Sequence, residues 1–308
     1  MTIRRAIVTG GTGMLAMALE RLLGSEGVEV TLLVRPNSAR MGQLAVSPGT
    51  SVIECDLKEL HALEAGRHDA FYHFGWEGTF GPARDDTALQ CRNIQCTLDA
   101  VELAARLGCE VFVGAGSQAE YGRTEDVLTE STPCKPETCY GIAKLAAGRL
   151  SRAACGQRGM RHVWARILSV YGPGDNPQTM MMSCTRSLLQ GERMSFTPGE
   201  QRWDYLYSGD AAQALYLMGM HGRDGAVYPL ASGQPRTLRE YICAARDVID
   251  SSIEVGIGEL PYPPGQVMRL EGDIGALVRD TGFAPTIAFE DGVNLTTNWL
   301  AERRLTGQ

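Results

Sequence analysis

Tyr140 and Lys144 stand four apart in Tyr140-Gly141-Ile142-Ala143-Lys144, a stretch that opens a helical segment and puts both side chains on one face. An ammonium beside a phenol favours the phenolate and brings a tyrosine toward the range where it exchanges protons near neutral pH. The chain has only three lysines, Lys58, Lys135 and Lys144, and relies on arginine elsewhere, so a lysine in this motif is more than surface filler. Upstream, the apolar run Glu110-Val111-Phe112-Val113 reads as a buried strand leading into Gly114-Ala115-Gly116-Ser117-Gln118-Ala119-Glu120-Tyr121-Gly122. That stretch offers a hydroxyl, an amide and a carboxylate in succession. Its small residues are expected to let ligands approach the strand end, and the order of its polar side chains reads as a reaction site.

A second constellation lies at the start of the chain. Ala6-Ile7-Val8-Thr9-Gly10-Gly11-Thr12-Gly13-Met14-Leu15-Ala16 reads as strand, glycine turn and helix start. Gly10 and Gly13 permit the turn, and the N–H groups around Thr12, Met14 and Leu15 can meet a pyrophosphate at the helix N-terminus. Where the next strand ends, an NAD site usually carries an acid for the ribose 2'-hydroxyl; this chain has Arg35, Ser38 and Arg40. Arginine there suits a 2'-phosphate, so NADP is expected, with NAD as the alternative. Asp56, followed by Leu57, either meets the adenine or caps the helix that starts beside it. Phe74 and Gly75, at the end of a further strand, complete the expected cofactor wall.

Apolar runs at 6–8, 28–34, 51–54, 70–74, 110–114 and 162–168 read as strands, each followed by a segment of helical character. This alternation predicts an α/β fold: a Rossmann-type doubly wound parallel sheet with ligands at the carboxyl ends of its strands. Residues 86–107 read as one long helix. Beyond about residue 170, Gly/Pro punctuation predicts a smaller C-terminal substrate-binding lobe, with helices at 237–249 and 289–300. The expected division is 1–168 for the dinucleotide-binding domain, with return elements near 203–232, and 169–202 plus 233–308 for the lobe.

The 308 residues are 44% hydrophobic and 21% charged, an ordinary globular composition. A net charge of -7 and the absence of a Lys/Arg run argue against a nucleic-acid partner. No apolar stretch is long enough to span a bilayer, and Gly10 and Gly11 interrupt any export-type segment after Arg4-Arg5, so a cytoplasmic, non-membrane protein is expected. The nine cysteines lack the spacing and the histidine pair of a zinc site, and no metal is expected.

Together these features resemble an extended short-chain dehydrogenase/reductase of the sugar-nucleotide epimerase/dehydratase group. The matching residues are Thr9 to Gly13, Asp69 to Gly75, Asn93 to Thr97, Ser117 with Tyr121-Gly122, Tyr140 with Lys144, Arg166 to Gly174, and Trp203 to Tyr207 before Asp210. The resemblance implies that Ser117 hydrogen-bonds the reacting oxygen, Tyr140 is the acid/base, and Lys144 also holds the nicotinamide ribose. It implies a nucleoside diphosphate sugar as ligand, with Arg202 for the diphosphate, Trp76 for the pocket wall and Gln118 beside the sugar. It implies a homodimer through helices near 86–107 and 140–156. Residues 202–207 depart from the usual register of their motif. His73 reads as a structural strand-end residue.

Three reactions share that scaffold. A 4,6-dehydratase of the group carries an Asp-Glu pair directly after the Ser/Thr, and here Gln118 and Ala119 stand in those places, with Glu120 one position late. Dehydration is therefore disfavoured. A 4-epimerase recycles a retained nicotinamide, usually NAD, whereas a net reductase draws on NADPH, and Arg35 favours reduction. The expected activity is NADP-dependent reduction of a nucleoside diphosphate 4-keto-(6-deoxy)hexose, with 4-epimerisation as the alternative. A non-catalytic nicotinamide sensor would not need the intact Ser117-Tyr140-Lys144 set.

Overall fold

The computed structural model describes residues 2–306, so Met1 and residues 307–308 of the expected domain bounds lie outside it. The first part of the chain runs β1 (Arg5–Thr9), α1 (Met14–Ser25), β2 (Glu29–Val34), β3 (Thr50–Glu54), β4 (Ala70–His73), α2 (Thr87–Arg106), β5 (Val111–Ser117), α3 (Cys139–Gln157) and β6 (Arg161–Ile167). The second part begins with β7 (Ser169–Tyr171), α4 (Met180–Leu188), β8 (Ser195–Phe196), β9 (Arg202–Trp203), β10 (Tyr205–Tyr207), α5 (Ser208–His221) and β11 (Ala226–Leu230). It ends with β12 (Arg236–Thr237), α6 (Leu238–Asp250), β13 (Gly256–Ile257), β14 (Arg269–Leu270), α7 (Gly275–Thr281) and α8 (Phe289–Thr306).

Seven strands form one sheet in the order β11-β6-β5-β4-β1-β2-β3, and all its pairings are parallel. The connection order reverses between β1 and β4, the switch point where doubly wound sheets open a crevice beyond their strand ends. The inner strands are apolar on both sides because helices cover both faces. On one face Leu19, Leu23, Leu215 and Met218 of α1 and α5 pack on Val8, Val30, Leu32 and Val111. On the other, Val101 and Leu103 of α2 and Cys155 of α3 pack around Ile7, Phe71 and Phe112.

Two sequence expectations change here. The connections after β2 and β3 carry only 3-10 turns, Met41–Gln43 and Leu57–Ala62, rather than helices. Pro36, Pro48 and the left-handed backbone of Asn37 and Gly49 break the first of these connections too often for an α-helix. The fifth strand also continues past residue 114 to Ser117. A Cβ on Gly114 would collide with the Trp164 ring, and one on Gly116 with Trp164 and Glu120. Trp164 lies opposite Gly114 in the β5–β6 register. The glycines thus make room for an indole inside the fold and not for an approaching ligand.

After β6 the chain alternates between the large sheet and a second group of elements. Helices α4, α6 and α8 share a core of Met181, Tyr241, Ala245, Phe289 and Val293, and α4 and α6 a second one of Cys184, Leu188 and Ile242. Strand β11 and helix α5 belong to the large sheet, and so does the stretch around α7, because Ala276, Leu277 and Phe283 lie in its core.

Candidate active site

Strand ends β1, β2, β3 and β4 surround a cleft of about 590 Å³. Gly10, Thr12, Gly13, Met14 and Leu15 line it from the turn between β1 and α1. Gly10 has φ 71°, and a Cβ there would stand 2.9 Å from the Gly75 nitrogen, so only glycine allows this turn to meet the end of β4. Helix α1 begins at Gly13 with no side-chain cap and no acidic residue in its first turn, leaving its N–H groups free for an anion. These features fit the pyrophosphate of a nicotinamide dinucleotide.

The far end of the cleft is lined by Arg35, Ser38 and Arg40 after β2, and by Asp56 and Leu57 after β3. Thr12 and Ser38 hydroxyls meet at 3.1 Å across the cleft floor. Arg35 is largely exposed and lies 3.8 Å from Glu77, a loose ion pair of small worth. Arg40 donates from Nη1 to the Gly174 carbonyl at 3.1 Å, tying the connection after β2 to the loop after β7. Asp56 accepts the Lys58 N–H at 3.0 Å and so caps the turn at 57–62 while also facing the cleft.

Phe74 and Gly75 form the cleft wall at the end of β4, and a buried relay holds them. Thr9 Oγ1 accepts the Phe74 and Gly75 N–H groups at 3.1 and 3.0 Å, so its own proton goes to His73 Nδ1 at 2.9 Å. His73 is therefore the Nε2–H tautomer, donating to Thr97 Oγ1 at 3.3 Å, and Thr97 donates to the Asn93 carbonyl at 2.9 Å. Burial, with the Lys144 charge as the smaller cause, lowers the His73 pKa to about 3. His73 is a neutral structural residue.

Tyr140 and Lys144 lie behind Trp76, which itself faces the cleft. Thr138 caps α3 by accepting the Gly141 N–H at 3.1 Å, which fixes the turn that carries Tyr140. The Trp76 ring stands edge-on to Tyr140 at 6.0 Å, and its indole N–H donates to Gln90 at 3.0 Å. Lys144 Nζ lies 3.7 Å from the Trp76 ring centre and donates to the Ala115 carbonyl at 2.8 Å. Burial brings its pKa down to about 7, against a smaller upward pull from Glu120.

The phenol of Tyr140 is pushed up by burial; the Ser117 hydroxyl and then the Arg84 guanidinium hold it down, while Glu120 pushes it up a little. The expected cation was Lys144. Its ammonium instead points to a carbonyl, 5.9 Å from the Tyr140 ring centre, whereas the Arg84 carbon Cζ lies 4.3 Å from it. Nothing in the sequence spacing pointed to Arg84.

Glu120 has a structural role that the sequence reading did not assign, although Ser117-x-x-Glu120 has the spacing of a capping box and could have shown it. One carboxylate oxygen accepts the Ser117 N–H at 2.8 Å and the Trp164 indole N–H at 2.9 Å; the other accepts Arg166 Nε at 2.8 Å. Glu120 is 1% exposed. Ser117 Oγ in turn accepts the Ala119 N–H at 3.2 Å. Gln118 opens this turn and is half-buried.

Arg202, the expected diphosphate residue, is engaged within the protein: Nε meets Glu271 at 2.8 Å and Nη2 donates to the Pro235 carbonyl at 3.1 Å. Arg269, which the sequence reading missed, lies opposite it in the β9–β14 register and meets the other Glu271 oxygen at 3.2 Å. Both guanidiniums are partly exposed, 47% and 38% by side chain, and share one carboxylate, leaving a net positive pair. Within the neighbouring motif, Asp204 accepts the Ser232 and Gly233 N–H groups, and Asp210 accepts those of Thr286 and Ile287. These two carboxylates anchor loops.

Residues 6–231 match the NAD dependent epimerase/dehydratase family. The chain belongs to that family. It is 28% identical over 321 residues to a dTDP-glucose 4,6-dehydratase of Streptomyces niveus, covering 97% of this chain and 94% of the relative. A dTDP-glucose 4,6-dehydratase of Neisseria gonorrhoeae is 25% identical over 338 residues, covering 99% and 98%. Among solved structures, a UDP-N-acetylglucosamine 4-epimerase from Methanobrevibacter ruminantium M1 superposes with a TM-score of 0.88 at 22% identity, covering 98% of this chain and 100% of that one. RMD from Pseudomonas aeruginosa, complexed with NADPH, gives 0.82 at 23% identity, covering 97% and 98%. As an epimerase/dehydratase family member the chain is a nicotinamide-dependent enzyme with a Rossmann-type fold. Among the described residues no helix is long and apolar enough to cross a membrane.

Proposed function

We propose that the protein is an NADP-dependent reductase of a nucleoside diphosphate 4-keto-(6-deoxy)hexose. The observation that carries this reading is the commitment of Glu120. Both its oxygens hold backbone, indole and guanidinium donors, and the two positions before it are Gln118 and Ala119. Dehydration needs a further acid/base pair next to Ser117, and this corner supplies none. Simple carbonyl reduction needs one proton donor, and Tyr140 suffices.

A bound reduced nicotinamide supplies the hydride. Tyr140 gives its proton to the sugar ketone oxygen, and Ser117 donates a hydrogen bond to that oxygen as negative charge develops on it. Lys144 would hold the nicotinamide ribose through the ammonium donors that the Ala115 carbonyl does not take. Arg35, Ser38 and Arg40 hold a 2'-phosphate, which the absence of a carboxylate at the end of β2 favours over a bare ribose. Arg202 and Arg269 grip the diphosphate, Trp76 and Gln118 contact the sugar, and residues 169–202 and 233–308, apart from the stretch around α7 that packs on the large sheet, supply the lobe that holds it. Helices α2 and α3 pair two copies of the chain, through a surface on which Ile142 and Leu150 are exposed.

Epimerisation at C4 uses the same Ser117-Tyr140-Lys144 corner and needs no added acid, so it is the second reading. A thermal-shift screen of CDP, dTDP, GDP and UDP sugars, each with NADP or NAD, tests the ligand assignment, because a true ligand adds stability by mass action. Additional stabilisation by NADP over NAD, lost in Arg35→Ser, is expected. Equal stabilisation by both cofactors would remove the argument for net reduction.

A further inference from the structure

We propose that Arg84 is the positioning cation of the proton-transfer tyrosine, laid on the face of the Tyr140 ring by the loop between β4 and α2. The inference rests on Tyr140 being the acid/base group but concerns a residue outside the Ser117-Tyr140-Lys144 set.

The loop has little freedom to place Arg84 elsewhere. Gln90 of α2, 1% exposed, donates through Nε2 to the Gly78 and Ala83 carbonyls at 3.1 and 2.9 Å while its oxygen accepts the Trp76 indole N–H. Asn93, one turn further on, clamps Glu77 by both its N–H and its carbonyl at 3.0 and 2.9 Å. Arg84 follows Ala83 directly, and its Nη1 donates to the Thr79 carbonyl at 3.0 Å. Next to it, Asp85 accepts the N–H of Cys139, the first residue of α3, at 3.3 Å. The same loop therefore grips the helix turn that bears Tyr140 and sets a guanidinium 4.3 Å from the phenol ring centre.

That guanidinium has no carboxylate within ion-pair distance among the described residues, so its charge is not cancelled locally. A cation over an aromatic face is attracted to the ring and more strongly to a phenolate, which stabilises the form left after proton donation. The other groups facing Tyr140 do not replace it. Lys144 is directed to Ala115, Glu120 is neutralised by Arg166, Trp76 carries no charge, and Ser117 offers only a hydroxyl. Among the described residues Arg84 is thus the unpaired cation nearest the ring centre, 4.3 Å against 5.9 Å for Lys144, and it acts through Tyr140 rather than on the substrate.

The test replaces Tyr140 with difluorotyrosine in the full chain, which brings the phenol's ionisation into an accessible range, and follows it by fluorine NMR as pH is raised. Arg84→Met is expected to raise the midpoint by about half to one pH unit, the range a cation–π contact at a partly buried site supports. Arg84→Lys should restore part of that shift, since it returns the charge without the fork. A midpoint in Arg84→Met equal to or below that of the parent would overturn the proposal. If Arg84→Met does not fold, Arg84→Lys and Arg84→Gln are compared, and equal midpoints in that pair count against it. The readout does not depend on turnover, so it separates from the acid/base reading itself, which fails if Tyr140→Phe keeps full activity.

Discussion

Removing the Glu120 carboxylate should unfold the corner that holds Ser117 before it touches any chemistry. In Glu120→Ala the Arg166 guanidinium, whose side chain is 7% exposed, loses the carboxylate it pairs with, the only one among the described residues. Stranding one member of a buried ion pair costs about 3–5 kcal/mol, with little solvent screening to soften it here. The Ser117 N–H and the Trp164 indole N–H also lose their acceptor, each worth about 1–3 kcal/mol when buried and unpaired. Partial relaxation and water entry reduce that sum, so a loss of about 4–6 kcal/mol is expected out of a total stability of about 5–15 kcal/mol. For a chain of this size that corresponds to roughly 10 °C in Tm. Circular dichroism melts of Glu120→Ala, Arg166→Met and the double variant give the coupling directly, and the double variant should be more stable than the sum of the single losses by about 2 kcal/mol or more. If Glu120→Ala melted within a degree or two of the parent and lost only turnover, Glu120 would be a proton-transfer group, and the case against dehydration would fall with it.

Four further outcomes follow from the same contacts. Gly116→Val should fail to fold or melt far below the parent, because its side chain would enter the space of Trp164 and Glu120; solubility and near-ultraviolet circular dichroism read this. Thr9→Ala strands the Phe74 and Gly75 N–H groups and unsets the His73 tautomer, costing about 1–3 kcal/mol in denaturant melts and weakening cofactor binding. Arg35→Ser and Arg40→Ser should each weaken NADPH binding by about tenfold to a hundredfold in calorimetry with little change for NADH, the size of a lost charge-assisted hydrogen bond. The folded-state pKa values of His73 and His162 are depressed to about 3 and about 4 from 6.5, chiefly by burial, so both bind fewer protons folded than unfolded. Their contribution to stability is present above about pH 6.5 and is lost as pH falls toward those values, and His162→Phe should flatten that decline by up to about 1.4 kcal/mol per pH unit in pH-dependent melts.

The parallel sheet was readable because buried strands are short apolar runs bounded by turn residues, and Val8, Leu32, Phe71 and Val113 announce themselves locally. The glycine turn after β1 was readable for the same reason: its conformational demand falls on adjacent residues. What the sequence did not show depended on partners far along the chain. Gly114 and Gly116 looked like room for a ligand because Trp164, which fills that space, lies about fifty residues further on. Arg202 looked free for a diphosphate because Glu271 and Arg269 join it only through the β9–β14 pairing. Arg84 carries no motif at all; its place over Tyr140 comes from Gln90 and Asn93 folding a loop back onto α3. Glu120 was the intermediate case, its capping box legible in four residues and its link to Arg166 not.

The most direct measurement of the central claim follows deuterium from the transferable position of labelled NADPH into nucleoside diphosphate 4-keto-6-deoxyhexoses, with cofactor loss recorded in parallel. Reduction predicts one deuteron at the sugar carbon for each NADPH consumed, and loss of that transfer in Tyr140→Phe. Interconversion of two nucleoside diphosphate hexoses with no net NADPH consumption, or release of water from a hexose that carries no ketone, would contradict it.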